Sequence, residues 1–236
     1  MPNRRDDIPE DEPYLAATTA LTRTVVGAAR VDGAAVSIIT DKAGARDLLY
    51  STDSVATRID ELQFTIGEGP CLDAFRANEP RTVLDLADTA ATAKWPTFAS
   101  EVVEELNVHT LLACPITVHG AALGVLELYR TEPAPFSTSQ FDAARAIATA
   151  LGPVLLTDLE TNAGNDRAAG YPEPEGRYHF ARGDVHAAIG MLAVRLDVPV
   201  DDAAAILRAH AYTQARSIAS IANDIVHRRT DFEVYD

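Results

Sequence analysis

The sequence predicts two structural units: an α+β unit with a mostly antiparallel sheet and flanking helices, then an all-α bundle of three short helices. Its 236 residues are about one and a half times the length of a typical domain. Strand-like patterns dominate residues 35–129, whereas helical spacing of apolar residues dominates from residue 184 onward. Between these regions, residues 160–177 are rich in glycine, proline and charge and have no apolar period, which predicts a linker.

The predicted sheet follows one amphipathic helix at residues 14–30. Its five predicted strands are residues 35–39, 48–51, 81–86, 111–118 and 121–129. His119 and Gly120 are expected to join the last two strands in a tight hairpin. Because Pro115 cannot donate a ladder hydrogen bond, its strand is expected to have an edge, a bulge or an end there.

Three further helices are predicted to flank this sheet. Residues 70–77 follow a glycine-containing turn, and Pro70 fits the first helical position. Residues 98–106 place their apolar side chains on one face. Ser137 and Gln140 have the spacing of a capping box, which opens a helix that extends through Leu155.

The second unit has the pattern of three short helices. Asp184 is expected to cap the first helix, Pro199 to open the second and Ser217 to cap the third. A bundle of about fifty residues has a marginal core, so packing against the first unit or oligomerisation is expected. The predicted boundaries are a disordered arm at 1–13, the first unit at 14–159, the linker at 160–177, the bundle at 178–230 and an acidic tail at 231–236.

The net charge of −15 is unevenly distributed along the chain. Residues 1–176 carry 13 Lys and Arg against 27 Asp and Glu, whereas residues 177–230 carry seven Arg against five Asp. The last six residues add three acids. A polyanion is therefore expected to approach only the second unit.

Several protein classes lack support in the sequence. No apolar run is long enough for a membrane span, and the N-terminus lacks a secretory signal, so a cytoplasmic location without a membrane partner is expected. Two cysteines cannot build a disulfide framework. The histidines show no metal-binding spacing, and there is no Walker loop, GxSxG elbow or kinase signature. We therefore expect no enzyme activity, catalytic residue, metal or cofactor.

Two family resemblances rest on longer strings. The first unit carries GEGPCLDAFRANEPRTVLDL at 67–86, KWPTFA at 94–99 and LLACPITVHGAALGVLELYR at 111–130. Over residues 14–158 it resembles a GAF domain of the actinobacterial kind. The second unit carries VHAAIGMLAVRLDVPVDDAAAILRAHAYTQARSIASIANDIV at 185–226. It resembles an ANTAR domain, a three-helix module that binds RNA stem-loops and prevents transcription termination.

The resemblance implies a transcription antitermination regulator. Its GAF-like unit would sense a signal or hold a homodimer, with room for a small-molecule ligand, and its ANTAR-like unit would bind structured RNA with tandem stem-loops. The ANTAR-like unit departs from its family, because Ile189 replaces a lysine and Arg216 alone remains of a basic cluster. Two alternatives therefore stay open: a ligand-binding or dimerisation protein whose bundle serves protein interaction, and a thiol-dependent reductase.

Candidate binding residues follow from the two resemblances. The expected RNA-binding residues are Arg195, Arg208, His210, Tyr212, Arg216, Arg228 and Arg229. The expected ligand-binding residues are Tyr50, Phe64, Trp95 and Phe98, since pockets are largely apolar and aromatic. Each set has a structural alternative, namely solvated bundle faces for the first and a packed core for the second. Gly190 is expected to allow close packing of helices, and Cys71 is a candidate for a lowered thiol pKa at a helix N-terminus.

Overall fold

The computed structural model describes residues 15–39, 46–168, 182–214, 216 and 218–227. One antiparallel sheet with the strand order β2-β1-β5-β4-β3 forms its centre. The strands are β1 (Gly33–Ile39), β2 (Arg46–Ser51), β3 (Arg81–Val83), β4 (Thr110–Val118) and β5 (Ala121–Arg130). All five predicted strands are confirmed, although β3 ends before residue 86. The predicted arm at 1–13 and tail at 231–236 lie outside the described residues.

Helices cover both faces of the sheet. One face packs against α1 (Ala16–Ala29) and α6 (Thr138–Ala168), and the other face carries α2 (Ser54–Ile66), α3 (Pro70–Ala77), α4 (Thr89–Lys94) and α5 (Pro96–Leu106). Successive residues of β4 lie on opposite faces of the sheet. Leu112 packs with α1 and α6, whereas Leu111 packs with α2 and α5. We refer to residues 15–168 as the sheet unit.

The local signals in β4, β5 and α6 are confirmed. His119 and Gly120 form the turn between β4 and β5 with φ values of 50° and 83°. Pro115 pairs with β5 only, because β3 reaches no further along β4 than Ala113, and a register shift follows after Ile116. At the start of α6, the Ser137 amide donates to Gln140 Oε1 at 2.9 Å and the Gln140 amide donates to Ser137 Oγ at 3.3 Å.

Helix α6 packs very closely on β4 and is longer than predicted. An added Cβ at Gly152 would lie 2.2 Å from the Thr117 carbonyl oxygen, so only glycine allows this approach. The helix continues to Ala168, which corrects the predicted start of the linker at residue 160. The sequence beyond residue 159 has no apolar period, and apolar periodicity cannot detect such a helical segment.

Helices α2 and α4 were not predicted. Helix α2 has an N-cap, because the Asp53 carboxylate accepts from the Ala56 amide at 2.8 Å. Its buried face holds Asp60 and Gln63 among the apolar residues, which obscures the amphipathic pattern. These two buried polar residues explain why apolar periodicity did not predict α2.

Three helices follow the sheet unit in the described part of the chain, and we call them the C-terminal helices. They are α7 (Gly183–Leu196), α8 (Val200–Thr213) and α9 (Ile218–Val226). Their buried residues form one apolar cluster that includes Leu192, Leu207 and Ile221. Among the described residues, no helix is both long and apolar enough to cross a membrane.

Two predictions in the C-terminal helices are wrong. Helix α7 begins at Gly183 after Arg182, so Asp184 lies in the first turn instead of capping the helix. Gly190 is exposed, and apart from its own stretch of helix no described atom lies within 4 Å of an added Cβ there, so close helix packing does not explain this glycine. The predicted cap Ser217 lies outside the described residues.

Candidate functional site

A group of buried polar side chains lies between the sheet and α2, and we call it the charge cluster. It consists of Ser37, Arg46, Asp60, Gln63, Glu127 and Arg182. The first five come from β1, β2, α2 and β5 of the sheet unit, whereas Arg182 immediately precedes α7. All of them are buried, with Arg46 only 1% exposed and Arg182 only 8% exposed. Burying charged side chains is costly even when they are paired, so charged residues are seldom buried without a specific role. This cluster is therefore the strongest candidate for a functional site.

Asp60 is the centre of the charge cluster. Its Oδ1 accepts from Ser37 Oγ at 2.5 Å and contacts the Arg46 guanidinium. Its Oδ2 lies 2.7 Å from Arg182 Nη2. The Nε and Nη1 groups of Arg46 make no hydrogen bond to any described residue, so the ion pair with Asp60 is the main neutralising contact of that guanidinium.

Gln63 connects Glu127 to the start of α3. Its Nε2 donates to the two carboxylate oxygens of Glu127 at 2.8 and 2.9 Å, and its Oε1 accepts from the Cys71 amide at 2.9 Å. Glu127 Oε2 is also 3.9 Å from Arg46 Nη2. The two acids of the cluster therefore share Arg46, but only Asp60 is in direct contact with it.

The two acids of the cluster have opposite pKa shifts. Burial opposes ionisation of Asp60, but Arg46, Arg182 and the hydrogen bond from Ser37 outweigh it and lower the pKa of Asp60 below its usual value. Burial raises the pKa of Glu127, and the more distant Arg46 compensates only in part. The pKa of Asp60 is therefore held below, and that of Glu127 above, the ordinary value of each carboxyl group.

Glu127 is expected to make the folded state less stable as pH rises. Because its pKa is raised, the folded state holds this proton more tightly than the unfolded chain does. The contribution of Glu127 to the free energy of unfolding is complete below the pKa that Glu127 has in the unfolded chain. It is lost as pH rises through the higher pKa that Glu127 has in the folded state. The free energy of unfolding, measured with urea from about pH 5 to about pH 8, should fall in the wild type and stay flatter in Glu127→Gln.

The matched control for this prediction is Glu105→Gln. Glu105 is exposed, and its hydrogen bond from Arg58 lowers its pKa, so its contribution is lost only when pH falls below the usual range of a glutamate. This variant should keep the wild-type dependence over the same pH interval. An equally steep dependence in Glu127→Gln would show that another group titrates there.

The fold of the sheet unit is that of a known domain family. The family model described as GAF domain matches residues 16–155, which is more than half of the chain. The chain belongs to the GAF domain family. This confirms the resemblance of the first unit and indicates a role in ligand sensing or signalling.

The chain is also similar to solved structures. The GAF domain of a phosphoenolpyruvate-protein phosphotransferase from Coxiella burnetii is 19% identical, with a TM-score of 0.50 over 65% of this chain and 89% of that chain. A domain of a two-component sensor histidine kinase from Sinorhizobium meliloti is 19% identical, with a TM-score of 0.48 over 62% and 92% of the two chains. A type II free methionine-R-sulfoxide reductase from Thermoplasma acidophilum is 14% identical, with a TM-score of 0.41 over 60% and 91%. No curated protein matches the chain.

The family match ends at residue 155, before the C-terminal helices begin. The ANTAR-like interpretation of residues 185–226 therefore stays a prediction. The structure adds a physical contact between this region and the GAF domain, because Arg182 reaches into the charge cluster.

The string GEGPC at 67–71 has a structural role in the GAF domain. Gly67, with φ of 83°, ends α2, and Gly69, with φ of 139°, precedes Pro70 at the start of α3. Glu68 Oε1 accepts from the amides of Thr97 and Phe98 at 2.9 and 2.8 Å and so caps α5. This contact joins the glycine string to the residues that directly follow Trp95 and Pro96. The Gly-x-Gly turn therefore joins α2 to α3, and its central Glu68 caps α5.

The four predicted ligand-binding residues are all buried, but they lie in different environments. Trp95 and Phe98 belong to the apolar cluster between the sheet, α2 and α5. Phe64 belongs to the apolar cluster of the C-terminal helices. The Tyr50 hydroxyl accepts from Arg23 Nε at 2.8 Å on α1. Of these four, Phe64 contacts the charge cluster, since the Arg182 guanidinium lies 3.8 Å from its ring centroid.

The predicted RNA-binding residues also differ in their surroundings. Arg195 is exposed in the last turn of α7, and Tyr212 is 82% exposed near the end of α8. His210 is half-buried, with Nε2 at 2.7 Å from Gln214 Nε2. Arg216 donates to Asp224 and Ser220 at 2.6 Å. Arg228 and Arg229 lie outside the described residues.

Arg208 is turned toward the GAF domain in this structure. Its Nε donates to the Phe64 carbonyl oxygen at 3.1 Å. Burial and the neighbouring Arg76 lower the pKa of its guanidinium. Arg208 therefore contributes to the contact between the two regions, whereas its predicted role in RNA binding requires it to face solvent.

The two cysteines lie on opposite faces of the sheet. Cys71 lies on α3 and packs against the sheet, whereas Cys114 packs with α1 and α6 on the other face, and both are buried. Burial, together with Glu127, raises the pKa of Cys71 well above its usual value, which corrects the expected lowering at a helix N-terminus. Burial raises the pKa of Cys114 to about 12. Within the described part of the chain, no three His, Cys, Asp or Glu side chains form a group that could hold a metal ion.

Sequence reasoning missed the charge cluster because its members are far apart in the chain. Asp60 and Arg182 are separated by 122 residues, and Gln63 and Glu127 by 64. Two signals in the sequence pointed to it. Glu127 interrupts the apolar run at 121–129, and Asp60 lies on a helix face with Ile59 and Leu62.

Proposed function

We propose that the chain is a cytoplasmic transcription regulator in which the GAF domain senses a signal and the C-terminal helices bind structured RNA. The observation that carries this proposal is that Arg182, which immediately precedes the C-terminal helices, is buried among residues of the GAF domain. A change inside the GAF domain would therefore alter the position of the C-terminal helices. No catalytic step is part of the proposal, and the burial of both thiols supports this.

RNA is proposed as the partner because of the ANTAR-like sequence and the distribution of charge. The region from 177 to 230 has a slight excess of positive charge, in contrast to the acidic GAF domain. Arg195 and Tyr212 are exposed and available for a phosphate contact and for base stacking. Arg208 would join them if the C-terminal helices left the GAF domain.

The proposal includes a homodimer in which α1 and α6 pair with their copies. These two helices pack against each other, and α6 continues 13 residues beyond the end of the family match. One weakly basic module gives little affinity for RNA, whereas two linked modules on tandem stem-loops bind with a raised effective concentration. Two stem-loops are therefore expected to bind more tightly than one.

Filter binding with the full chain tests the RNA proposal. RNA with two stem-loops should bind more tightly than RNA with one, and unstructured RNA of equal length should bind weakly. Affinity should fall as salt rises, and Arg195→Gln should reduce the salt slope by about 1. Arg58→Gln, an exposed arginine on α2 paired with Glu105, is the matched control and should bind like the wild type. Absence of binding even at low salt would refute RNA as the partner.

A second candidate function is protein interaction through the C-terminal helices. Met191 is 41% exposed and Val194 is 86% exposed on α7, next to the open position of Gly190. Arg208 and Arg216 are held by protein groups. If filter binding fails at low salt, this exposed apolar face makes a protein partner the better interpretation of the C-terminal helices.

A further inference from the structure

Arg182 occupies a site that the GAF domain builds around its guanidinium. Nη2 lies 2.7 Å from Asp60 Oδ2, and Nη1 donates to the Arg46 carbonyl oxygen at 3.0 Å. The guanidinium carbon lies 3.8 Å from the centroid of the Phe64 ring. A carboxylate, a carbonyl oxygen and an aromatic face are the three groups that recognise a planar organic cation.

The groups that form the site also have contacts other than those with Arg182. Asp60 keeps its contacts with Ser37 and Arg46, so its carboxylate stays paired when Arg182 leaves. The carbonyl acceptor belongs to the first residue of β2, and Phe64 belongs to α2. Departure of Arg182 therefore returns one guanidinium to water without leaving a buried carboxylate unpaired.

We propose that this is a site for a guanidinium-bearing small molecule, that Arg182 fills it as a tethered ligand, and that the free molecule displaces Arg182 and releases the C-terminal helices. The inference rests on the sensing part of the proposed function and is independent of RNA binding. It assigns the chemical class of the signal and the contact through which the signal acts.

Release follows from displacement because the other described contacts between the two regions are few. His186 Nε2 lies 3.3 Å from Asp47 Oδ2, and Arg208 donates to the Phe64 carbonyl oxygen at 3.1 Å. Phe64 is the GAF residue in the apolar cluster of the C-terminal helices. The remaining members of that cluster come from α7, α8 and α9, so these helices keep their own core after release.

Calorimetric titration of the full chain with methylguanidinium, at constant ionic strength, tests the site. In Arg182→Ala the site is open to the free cation, whereas in the wild type the tethered guanidinium competes at a high effective concentration. Binding to Arg182→Ala should therefore be on the order of tenfold tighter than binding to the wild type. Sodium ions at the same concentration should give no comparable heat.

The matched control is Arg216→Ala. Arg216 is also an arginine of the C-terminal region, but its partner Asp224 belongs to α9 and not to the GAF domain. This variant should bind methylguanidinium like the wild type. If Arg182→Ala binds no more tightly than Arg216→Ala, the site is not a guanidinium site and the proposal fails.

Small-angle X-ray scattering tests the release. The radius of gyration should rise in Arg182→Ala and in the wild type saturated with methylguanidinium, and it should not change in Arg216→Ala. Binding to the wild type without a rise would overturn the displacement step. If Arg182→Ala does not fold, Arg182→Lys replaces it: lysine keeps one contact to Asp60 and competes less well, so intermediate affinity is expected and wild-type affinity would refute the proposal. Absence of RNA binding would leave these readouts unaffected.

Discussion

Replacement of Asp60 by Asn is expected to lower the free energy of unfolding by about 3–5 kcal/mol, because it removes the counterion of two buried guanidinium groups. Asp60 contacts Arg46 directly and lies 2.7 Å from Arg182. An arginine side chain stays protonated even when it is buried, so the positive charge of Arg46 would remain without its counterion. Its Nε and Nη1 groups have no acceptor among the described residues. Urea unfolding at neutral pH, followed by circular dichroism, measures the change.

The matched control for Asp60→Asn is Asp85→Asn. Asp85 Oδ1 also has a side-chain partner, His109 Nδ1 at 2.8 Å, but both side chains are more than a fifth exposed. Its loss should cost less than about 1 kcal/mol. Equal losses in the two variants would show that the charge cluster is not the electrostatic centre of the fold. Arg182→Ala should cost much less than Asp60→Asn, because it leaves Asp60 paired with Arg46 and Ser37.

Much of the GAF domain could be predicted because its signals are local. Alternation along β4 sends Leu111 and Leu112 to opposite faces, and the capping box of Ser137 and Gln140 starts α6. Each of these signals extends over a few residues. The sheet order and the placement of helices on its two faces follow from burying both apolar faces at once.

The site could not be predicted in the same way, because its defining contacts join distant segments. The pair of Asp60 and Arg182 depends on how the C-terminal helices dock, which no short window of sequence contains. Gly190 shows the converse error, since a glycine inside a helix suggested packing where the structure leaves open space. The four aromatic residues chosen as ligand contacts were selected by type alone, and the structure divides them between cores.

Phe98→Ala is expected to lower the free energy of unfolding by about 3–5 kcal/mol, because it opens a cavity in the core between the sheet and α5. Phe98 is completely buried and packs in one cluster with Ile59, Trp95 and Leu111. Urea unfolding measures the loss, and Leu84→Ala, at a 52% exposed side chain, is the control and should change stability by less than about 0.5 kcal/mol.

Phe98→Ala also decides between the two interpretations of the aromatic residues. If Phe98 is a packed core residue, its truncation creates a cavity and lowers the free energy of unfolding whether or not a ligand is present. If Phe98 lines an existing pocket, its truncation only enlarges that pocket and lowers the free energy of unfolding little. Phe64→Ala gives the informative comparison, since Phe64 packs against the C-terminal helices and lies under Arg182. That variant should weaken methylguanidinium binding and raise the radius of gyration. A small stability loss in Phe98→Ala would instead indicate that Phe98 lines a ligand pocket, and it would contradict a sensing site at the charge cluster.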